Sequence, residues 1–339
     1  MKNIKNYKIE DLQNIIKKWG YPIFHARQIF NWIYSKSNES FWEMSNLSKD
    51  LRAKLQTEFS PKSIKPVTKK VSDDKTVKYL YRLEDDNIIE TVIIPQKGRN
   101  TLCVSTQVGC KYGCKFCVSG LEGFQRNLKT FEILDQYLLS KKDFKGNITN
   151  VVFMGIGEPL DNFKNTVNAV KILNTSPGAG MGLRKITIST CGIVPGIKQL
   201  TSEIKQVNLS VSLHSASDKK RNIIMPVNKK YNLRKLIFGL KEYVNSGGRE
   251  VTFEYILIKN FNDQIKDARQ LAKYVKGVKN KINIIPYNEN RYFNWTSPNK
   301  KIVKKFIDVL DKCKISYTLR KPRGRDIEAA CGQLKMRNG

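Results

Sequence analysis

From residue 102 onward, short apolar runs alternate with amphipathic stretches, and this alternation limits the fold more than any other feature. The apolar runs are 102–105, 148–154, 185–189, 207–213, 251–258 and 282–285. Between and after them, apolar residues recur at helical spacing over 131–140, 163–173, 197–204, 233–244, 264–275 and 299–312. Strands apolar on both faces need cover on both faces, which is the pattern of a parallel sheet clad in helices. The alternation predicts an α/β fold of six βα units. An open doubly wound sheet and a partial or closed barrel both fit it, and either places its chemistry at the carboxyl ends of the strands.

Two smaller segments precede this core. Residues 1–60 read as a helical accessory module, with helices over 9–19, 24–34 and 48–59 punctuated by Gly20-Tyr21-Pro22 and Ser60-Pro61. Trp19, Phe24, Phe30, Trp32 and Trp42 are its expected core. Residues 61–100 carry strand patterns with a turn at Asp85-Asp86-Asn87, an antiparallel extension leading into the core of 101–339. Sixty-one Lys and Arg against thirty Asp and Glu give a net charge of +31, which favours a polyanionic partner such as nucleic acid. Lys17, Lys18, Arg27, Lys49, Arg52 and Lys54 suit a phosphate backbone, as do Arg323 and Arg325. The first residues lack the apolar block of a secretory signal, and no run of about eighteen apolar residues suggests a membrane span. Seven cysteines in a chain this long argue against a secreted disulfide scaffold, so a cytoplasmic protein is expected.

Three of those cysteines stand on one short loop, Cys110-x3-Cys114-x2-Cys117, with glycines at 109, 113 and 120. Structural zinc normally takes four ligands in two separated pairs, and no second pair follows at such a spacing. Soft thiolates also select iron–sulfur clusters, and three cysteines would leave one iron of a four-iron cluster open. Iron–sulfur is the favoured reading, with zinc and buried free thiols as alternatives. Elsewhere, Gly155-Ile156-Gly157-Glu158-Pro159 closes the second strand, where two glycines admit a ligand to the backbone and Glu158 can accept from an ammonium. Ser189, Ser212-Leu213-His214 and Asn288 end later strands. Cys331 lies in a small-residue turn, Ala-Ala-Cys-Gly-Gln, after a basic stretch that would favour its thiolate. Cys191 and Cys313 read as core or incidental thiols.

The cysteine loop, with Phe116 before its last cysteine, resembles that of the radical S-adenosylmethionine enzymes. Glu90-Thr91-Val92, Leu102-Cys103-Val104-Ser105 and Ala329-Ala330-Cys331-Gly332-Gln333-Leu334 are similar to the RlmN/Cfr group within them, a likeness that covers essentially the whole chain. The resemblance implies a radical SAM (βα)6 partial TIM-like barrel. It also implies a [4Fe-4S] cluster on Cys110, Cys114 and Cys117, and S-adenosylmethionine held by Gly157, Glu158, Ser189, Ser212, Leu213, His214 and Asn288. It gives Cys331 as the S-methylcysteine carrier, Cys103 as its transient disulfide partner and Glu90 as proton acceptor, a role Cys103 could share. The implied reaction methylates C2 of adenosine 2503 in 23S rRNA, commonly also C2 of adenosine 37 in tRNAs, using two S-adenosylmethionine molecules per product. An external electron donor and a thiol reductant are implied partners, and a monomer outside any membrane is expected. Pro159 and the Arg320-Lys321 pair look like the C2 type rather than the C8-methylating relatives. A non-catalytic basic RNA-binding protein is the alternative of another class.

The cysteine loop generates the first expected outcome. Anaerobic reconstitution should load about four irons and four sulfides per chain, and Ala at any of the three positions should abolish S-adenosylmethionine cleavage. Active protein carrying tight zinc and no iron would contradict it.

Overall fold

A computed structural model describes residues 1–335 and places ten strands in one open sheet. They are β1 (Lys65–Val71), β2 (Val77–Arg82), β3 (Ile88–Gln96), β4 (Arg99–Cys103), β5 (Asn150–Phe153), β6 (Ile186–Thr190), β7 (Asn208–Ser212), β8 (Val251–Leu257), β9 (Asn280–Pro286) and β10 (Tyr317–Leu319). Spatial order follows chain order from one edge to the other. Strands β1 to β4 pair antiparallel, and every pairing from β4 to β10 is parallel. The change of sense falls at β4, because the tight turn at Lys97-Gly98 returns the chain beside β3 whereas the exit from β4 crosses over through a helix. Cys103 sits at that junction, opposite Val92 on one side and Val152 on the other. The edge strands do not pair with each other, so the barrel is not closed; the parallel part is the partial barrel that the resemblance implies, one of the arrangements the alternation leaves open.

The six predicted strands correspond to β4 through β9. β10 and β1 were not predicted; both are short of buried apolar residues, since they occupy the edges. Inner strands are buried on both faces, as in Asn150–Phe153 and Val251–Leu257. Their helices are α4 (Thr130–Asp143), α5 (Phe163–Asn174), α6 (Val194–Glu203), α7 (Asp218–Ile224), α8 (Leu233–Asn245), α9 (Ile265–Val275) and α10 (Lys300–Lys312). Helix α4 packs on α5, α6 on α8 and α9 on α10. Asn232 and Asn299 cap α8 and α10 by accepting from Lys235 and Ile302 amides at 3.0 and 2.9 Å. Helix α7 escaped the sequence reading because its seven residues are too few to display a periodicity.

At the N-terminus stand α1 (Ile9–Lys18), α2 (Phe24–Phe30), which runs on into a π turn at Asn31–Ser35, and α3 (Lys49–Glu58). Phe30 is core, but Phe24 and Trp42 are about half exposed, contrary to expectation. Helix α2 buries Ala26, Ile29 and Phe30, a stripe that leaves Phe24 facing outward beside His25. These helices share a continuous apolar cluster with the sheet rather than standing off as a knob. A buried ion pair fixes the seam: Lys5 Nζ lies 2.5 Å from Asp135 Oδ1 on α4, whose other oxygen accepts the Ile64 amide at 3.2 Å. Burial raises the Asp135 carboxyl to about 6, against the pull of Lys5. Nearby, the Phe131 amide donates to Asn6 Oδ1 and Ser35 Oγ donates to the Pro177 and Gly178 carbonyls.

Removing one member of a buried pair strands the other in a site that water cannot reach. Lys5→Met should therefore cost about 3–5 kcal/mol, read as a lowered urea midpoint. Adding Asp135→Asn should recover part of the loss; an unchanged midpoint in the single variant would show that the seam does not depend on the pair.

Candidate functional site

A cavity opens at the carboxyl ends of the parallel strands, lined in part by Cys110, Cys114, Cys117, Gly157, Glu158, Ser189, Ser212, His214 and Cys331. The loop bearing the three cysteines springs from a two-stranded hairpin, Gln107–Gly109 with Phe124–Asn127. Gly109 has φ +73°, and a Cβ there would fall 1.9 Å from the Gly123 carbonyl oxygen, so the loop closes only on glycine. The Cys110 amide then donates to that same carbonyl at 2.8 Å. Gln107 ties this hairpin to the β5 end: its Oε1 accepts from the Glu158 amide at 2.8 Å, and its Nε2 donates to Asp161 at 2.9 Å. Gly157, at φ +99°, lets the backbone pass where a Cβ would meet Gln107 Cβ at 2.5 Å.

All three loop thiols are pushed toward the protonated form by burial, Cys110 to about 12, with mutual repulsion adding to the effect at Cys110 and Cys114. A soft cationic centre relieves that cost by binding the thiolate. Among the described residues no three Cys, His, Asp or Glu side chains converge closely enough to hold one metal ion. Three thiols distributed around one cavity fit the donor set of a polynuclear cluster better than a tetrahedral zinc site.

Glu158 is buried, and burial raises its pKa against two opposing bonds: Oε1 accepts the Leu160 amide at 3.0 Å and Oε2 the Cys191 amide at 2.7 Å. It thus staples the β5 end to the β6 end at the cavity wall. His214 has φ 54° and meets the edge of Phe116 at a centroid distance of 4.6 Å. Its Nδ1 accepts the Ile256 amide at 3.1 Å, which assigns the proton to Nε2. Leu213 and Asn288 do not line the cavity. Leu213 is core, while Asn288 donates to the Cys331 carbonyl at 3.2 Å and accepts from Arg325 at 3.1 Å. Arg325 is exposed yet donates to Asn288 and to the Tyr287 carbonyl, and Arg323 approaches Asp74 at 3.9 Å, so both already have partners within the protein.

The Cys331 segment is held from several sides. The Val118 amide donates to the Gly332 carbonyl at 2.9 Å and Ser119 Oγ to Leu334 O at 2.6 Å, which joins it to the cysteine loop. From the β1–β2 turn, Ser72 Oγ donates to Asp326 at 2.6 Å, and Asp74 accepts the Gly324 amide at 3.1 Å. Lys78 on β2 donates to Glu328 O at 3.1 Å and lies 3.4 Å from Glu90 on β3, which accepts the Lys335 amide at 3.1 Å. Glu90 is fully buried and lies off the cavity lining. Cys103 packs with Val92, Val152, Ile156, Ala329 and Leu334, and its thiol feels Cys331 after the larger effect of burial. The disulfide implied by the resemblance is not formed: all seven cysteines are free, Cys103 packed in this apolar cluster and Cys331 exposed at the cavity. The basic stretch does not win at Cys331, because burial of the sulfur raises its pKa and Arg320 only opposes the rise. Cys191, read as incidental, lines the cavity at the end of β6, and Glu254 lines it from β8 while accepting from Ser210 and Asn283 at 2.6 and 2.9 Å. Neither residue stood in a motif. Only the strand-end rule could have flagged Cys191, two residues past Ser189.

This fold and site define the class of radical S-adenosylmethionine proteins. A model of the radical SAM superfamily matches residues 104–272, and one of the ribosomal RNA large subunit methyltransferase N-terminal domain matches residues 2–60. The chain is 44% identical over 338 residues to a probable dual-specificity RNA methyltransferase RlmN of Dictyoglomus turgidum, covering 99% of this chain and 97% of that protein. It is 41% identical to the dual-specificity RNA methyltransferase RlmN of Pelobacter propionicus, covering 98% and 95%. A crystal structure of a radical SAM methyltransferase from Sphaerobacter thermophilus superposes with a TM-score of 0.92 at 38% identity, over 98% of this chain and 99% of that one. The chain belongs to the RlmN family of radical SAM methyltransferases. Membership implies a four-iron cluster and S-adenosylmethionine.

Burial, then the Arg221 charge, lowers the His214 pKa to about 3. An unfolded imidazole titrates near 6.5, so between about 3 and 6.5 the unfolded chain binds the extra proton. The stability tied to neutral His214 is present above about 6.5 and is lost as pH falls toward 3. Ring 15N shifts should accordingly report a neutral imidazole with N–H at Nε2 down to about pH 5. A ring protonated at about pH 6 would contradict the assignment.

Proposed function

We propose that this chain is a radical S-adenosylmethionine enzyme that methylates C2 of adenine in 23S rRNA and in tRNA, consuming two S-adenosylmethionine molecules per methyl group. The observation that carries the reading is that Cys331 lines the same cavity as Cys110, Cys114 and Cys117, with Cys103 within electrostatic reach of it. An RNA-binding protein without catalysis has no use for that convergence. Pro159 and Lys321 favour the C2 product over C8. The chain works in the cytoplasm as a monomer, with an outside electron donor and an outside thiol reductant. No helix among the described residues is long and apolar enough to cross a membrane.

Cys110, Cys114 and Cys117 would hold the cluster, and Gly157, Glu158, Ser189, Ser212 and His214 the S-adenosylmethionine beside it, with Leu213 and Asn288 supporting from behind. Bound there, the two groups supply a one-electron cleavage whose radical can take hydrogen from a methyl group. That chemistry is needed because C2 of adenine is not nucleophilic enough for direct displacement. Cys331 loses its proton, Arg320 favouring the thiolate, and takes the methyl group on Sγ. It then presents that carbon to an adenine brought out of its stack, at a cost of about a few kcal/mol. The adduct gives up one electron to the outside electron carrier, and removal of the ring proton, which falls to Cys103 or Glu90, restores the aromatic ring. The bonds to Lys78 and the Lys335 amide engage Glu90 as an anchor of the Cys331 segment, which favours Cys103. Release follows when the Cys103 sulfur attacks the Cys331 sulfur: an S–S bond forms, the S–C bond breaks, and the freed carbon on the RNA takes a proton. The disulfide is thus transient, and two electrons from the thiol reductant reset it. Exposed Lys17, Lys18, Arg27 and Lys49 on the N-terminal helices suit phosphate contacts.

Two variants test the reading. Cys331→Ala should keep its iron and bind S-adenosylmethionine yet transfer no methyl group. Cys103→Ala should accumulate a covalent protein–RNA adduct that survives denaturing electrophoresis and maps to Cys331. Wild-type protein should yield 2-methyladenosine by nucleoside mass spectrometry. Turnover by Cys331→Ala, or 8-methyladenosine as product, would overturn the proposal.

A further inference from the structure

Arg221 on α7 heads the largest fully buried side chains among the described residues. Its guanidinium donates Nε to Leu213 O at 3.1 Å, Nη1 to Asn228 Oδ1 at 2.7 Å, and Nη2 to Cys191 O at 2.8 Å and Ser212 O at 3.1 Å. Every acceptor is neutral. Among the described residues no carboxylate stands within ion-pair distance of it, and Asp218 is reached only through Asn228, which donates to it at 2.8 Å. An arginine does not shed its proton, so a full positive charge lies out of water with no adjacent counter-ion.

Its position supplies the complement. Cys191 and Ser212, whose carbonyls it binds, both line the cavity that Cys110, Cys114 and Cys117 line. One turn further along, the Ile224 carbonyl at the end of α7 accepts the Lys115 amide at 2.9 Å, so this short helix abuts the cysteine loop directly. Cys114 and His214 both lie within the reach of its charge. Three thiolates outweigh the two positive charges of a four-iron core in its oxidised form, and each electron added makes the centre more anionic.

We infer that Arg221 is the built-in counter-charge of this cavity: a positioning residue that fixes the β6 and β7 ends through its fork and raises the reduction potential of the centre held by Cys110, Cys114 and Cys117. A buried cation stabilises the reduced, more negative state over the oxidised one, and little water intervenes to screen it. The inference rests on the proposal that these cysteines hold a four-iron cluster.

The test compares wild type, Arg221→Lys and Arg221→Met after anaerobic reconstitution, reading iron content and the midpoint potential by EPR-monitored redox titration. Lysine keeps the charge and loses most of the fork; methionine loses both. The midpoint of Arg221→Met should shift to more negative potential, with Arg221→Lys close to wild type. Equal potentials in all three, or equal shifts in the two variants, would overturn the role of the charge. If Arg221→Met fails to hold iron, the neutral but hydrogen-bonding Arg221→Gln takes its place: a midpoint more negative than that of Arg221→Lys supports the role and an equal midpoint overturns it. Wild-type protein that takes up no cluster would instead overturn the cluster proposal on which this rests.

Discussion

Strands running in one sense bring their carboxyl ends to one rim, and that constraint places the groups that the parallel strands give to the cavity. From β5 to β8, the rim carries Gly157 and Glu158, then Ser189 and Cys191, then Ser212 and His214, then Glu254 and Ile256. Parallel strands need crossovers, and each crossover starts where the strand ends, so loop chemistry and strand-end chemistry fall together. The rim is stiffened by bonds between neighbours rather than by the sheet alone. Glu158 reaches the Cys191 amide, Gln107 holds the Glu158 amide, and Arg221 gathers the Cys191, Ser212 and Leu213 carbonyls.

Against that rim the antiparallel strands have a separate task. Strands β2 and β3 carry Lys78 and Glu90, the β1–β2 turn carries Ser72 and Asp74, and all four hold the segment from Gly324 to Lys335. The same segment is bonded to the cysteine loop through Val118 and Ser119. Cys331 therefore owes its place in the cavity largely to parts of the chain far from it in sequence, and its exposure there coexists with a sulfur whose burial opposes ionisation. The methyl-carrier role proposed for Cys331 needs both: a route for the RNA and shelter for a reactive carbon.

The N-terminal helices join this body through a seam that mixes apolar burial with the Lys5–Asp135 pair. Such a pair adds little net stability over an apolar contact of the same shape, yet either charge alone in that position is costly, so it fixes orientation. Exposed Phe24 and Trp42 lie on this module together with its basic residues, the surface proposed for phosphate contacts.

Sequence by itself determined the six βα units, because an apolar run on both faces has no stable place except inside a parallel sheet. It also determined the cysteine loop, since three thiols and three glycines within a dozen residues carry their own geometry. The N-terminal helices were legible from periodicity and breakers, to within a few residues at their ends. What only the tertiary structure decided were contacts between groups far apart in the chain. Cys191 and Glu254 line the cavity without standing in any motif, and Phe24 and Trp42 face outward because burial is settled by which stripe of a helix meets its neighbour. Glu90 and Asn288, expected at the cavity, turn out to hold the Cys331 segment, and Arg221 is bound by neutral acceptors from three separate stretches rather than by an adjacent carboxylate. Local pattern fixes the direction a strand runs and the spacing of a loop. The desolvation and hydrogen bonding that set a thiol's charge or a histidine's tautomer exist only once distant segments have packed.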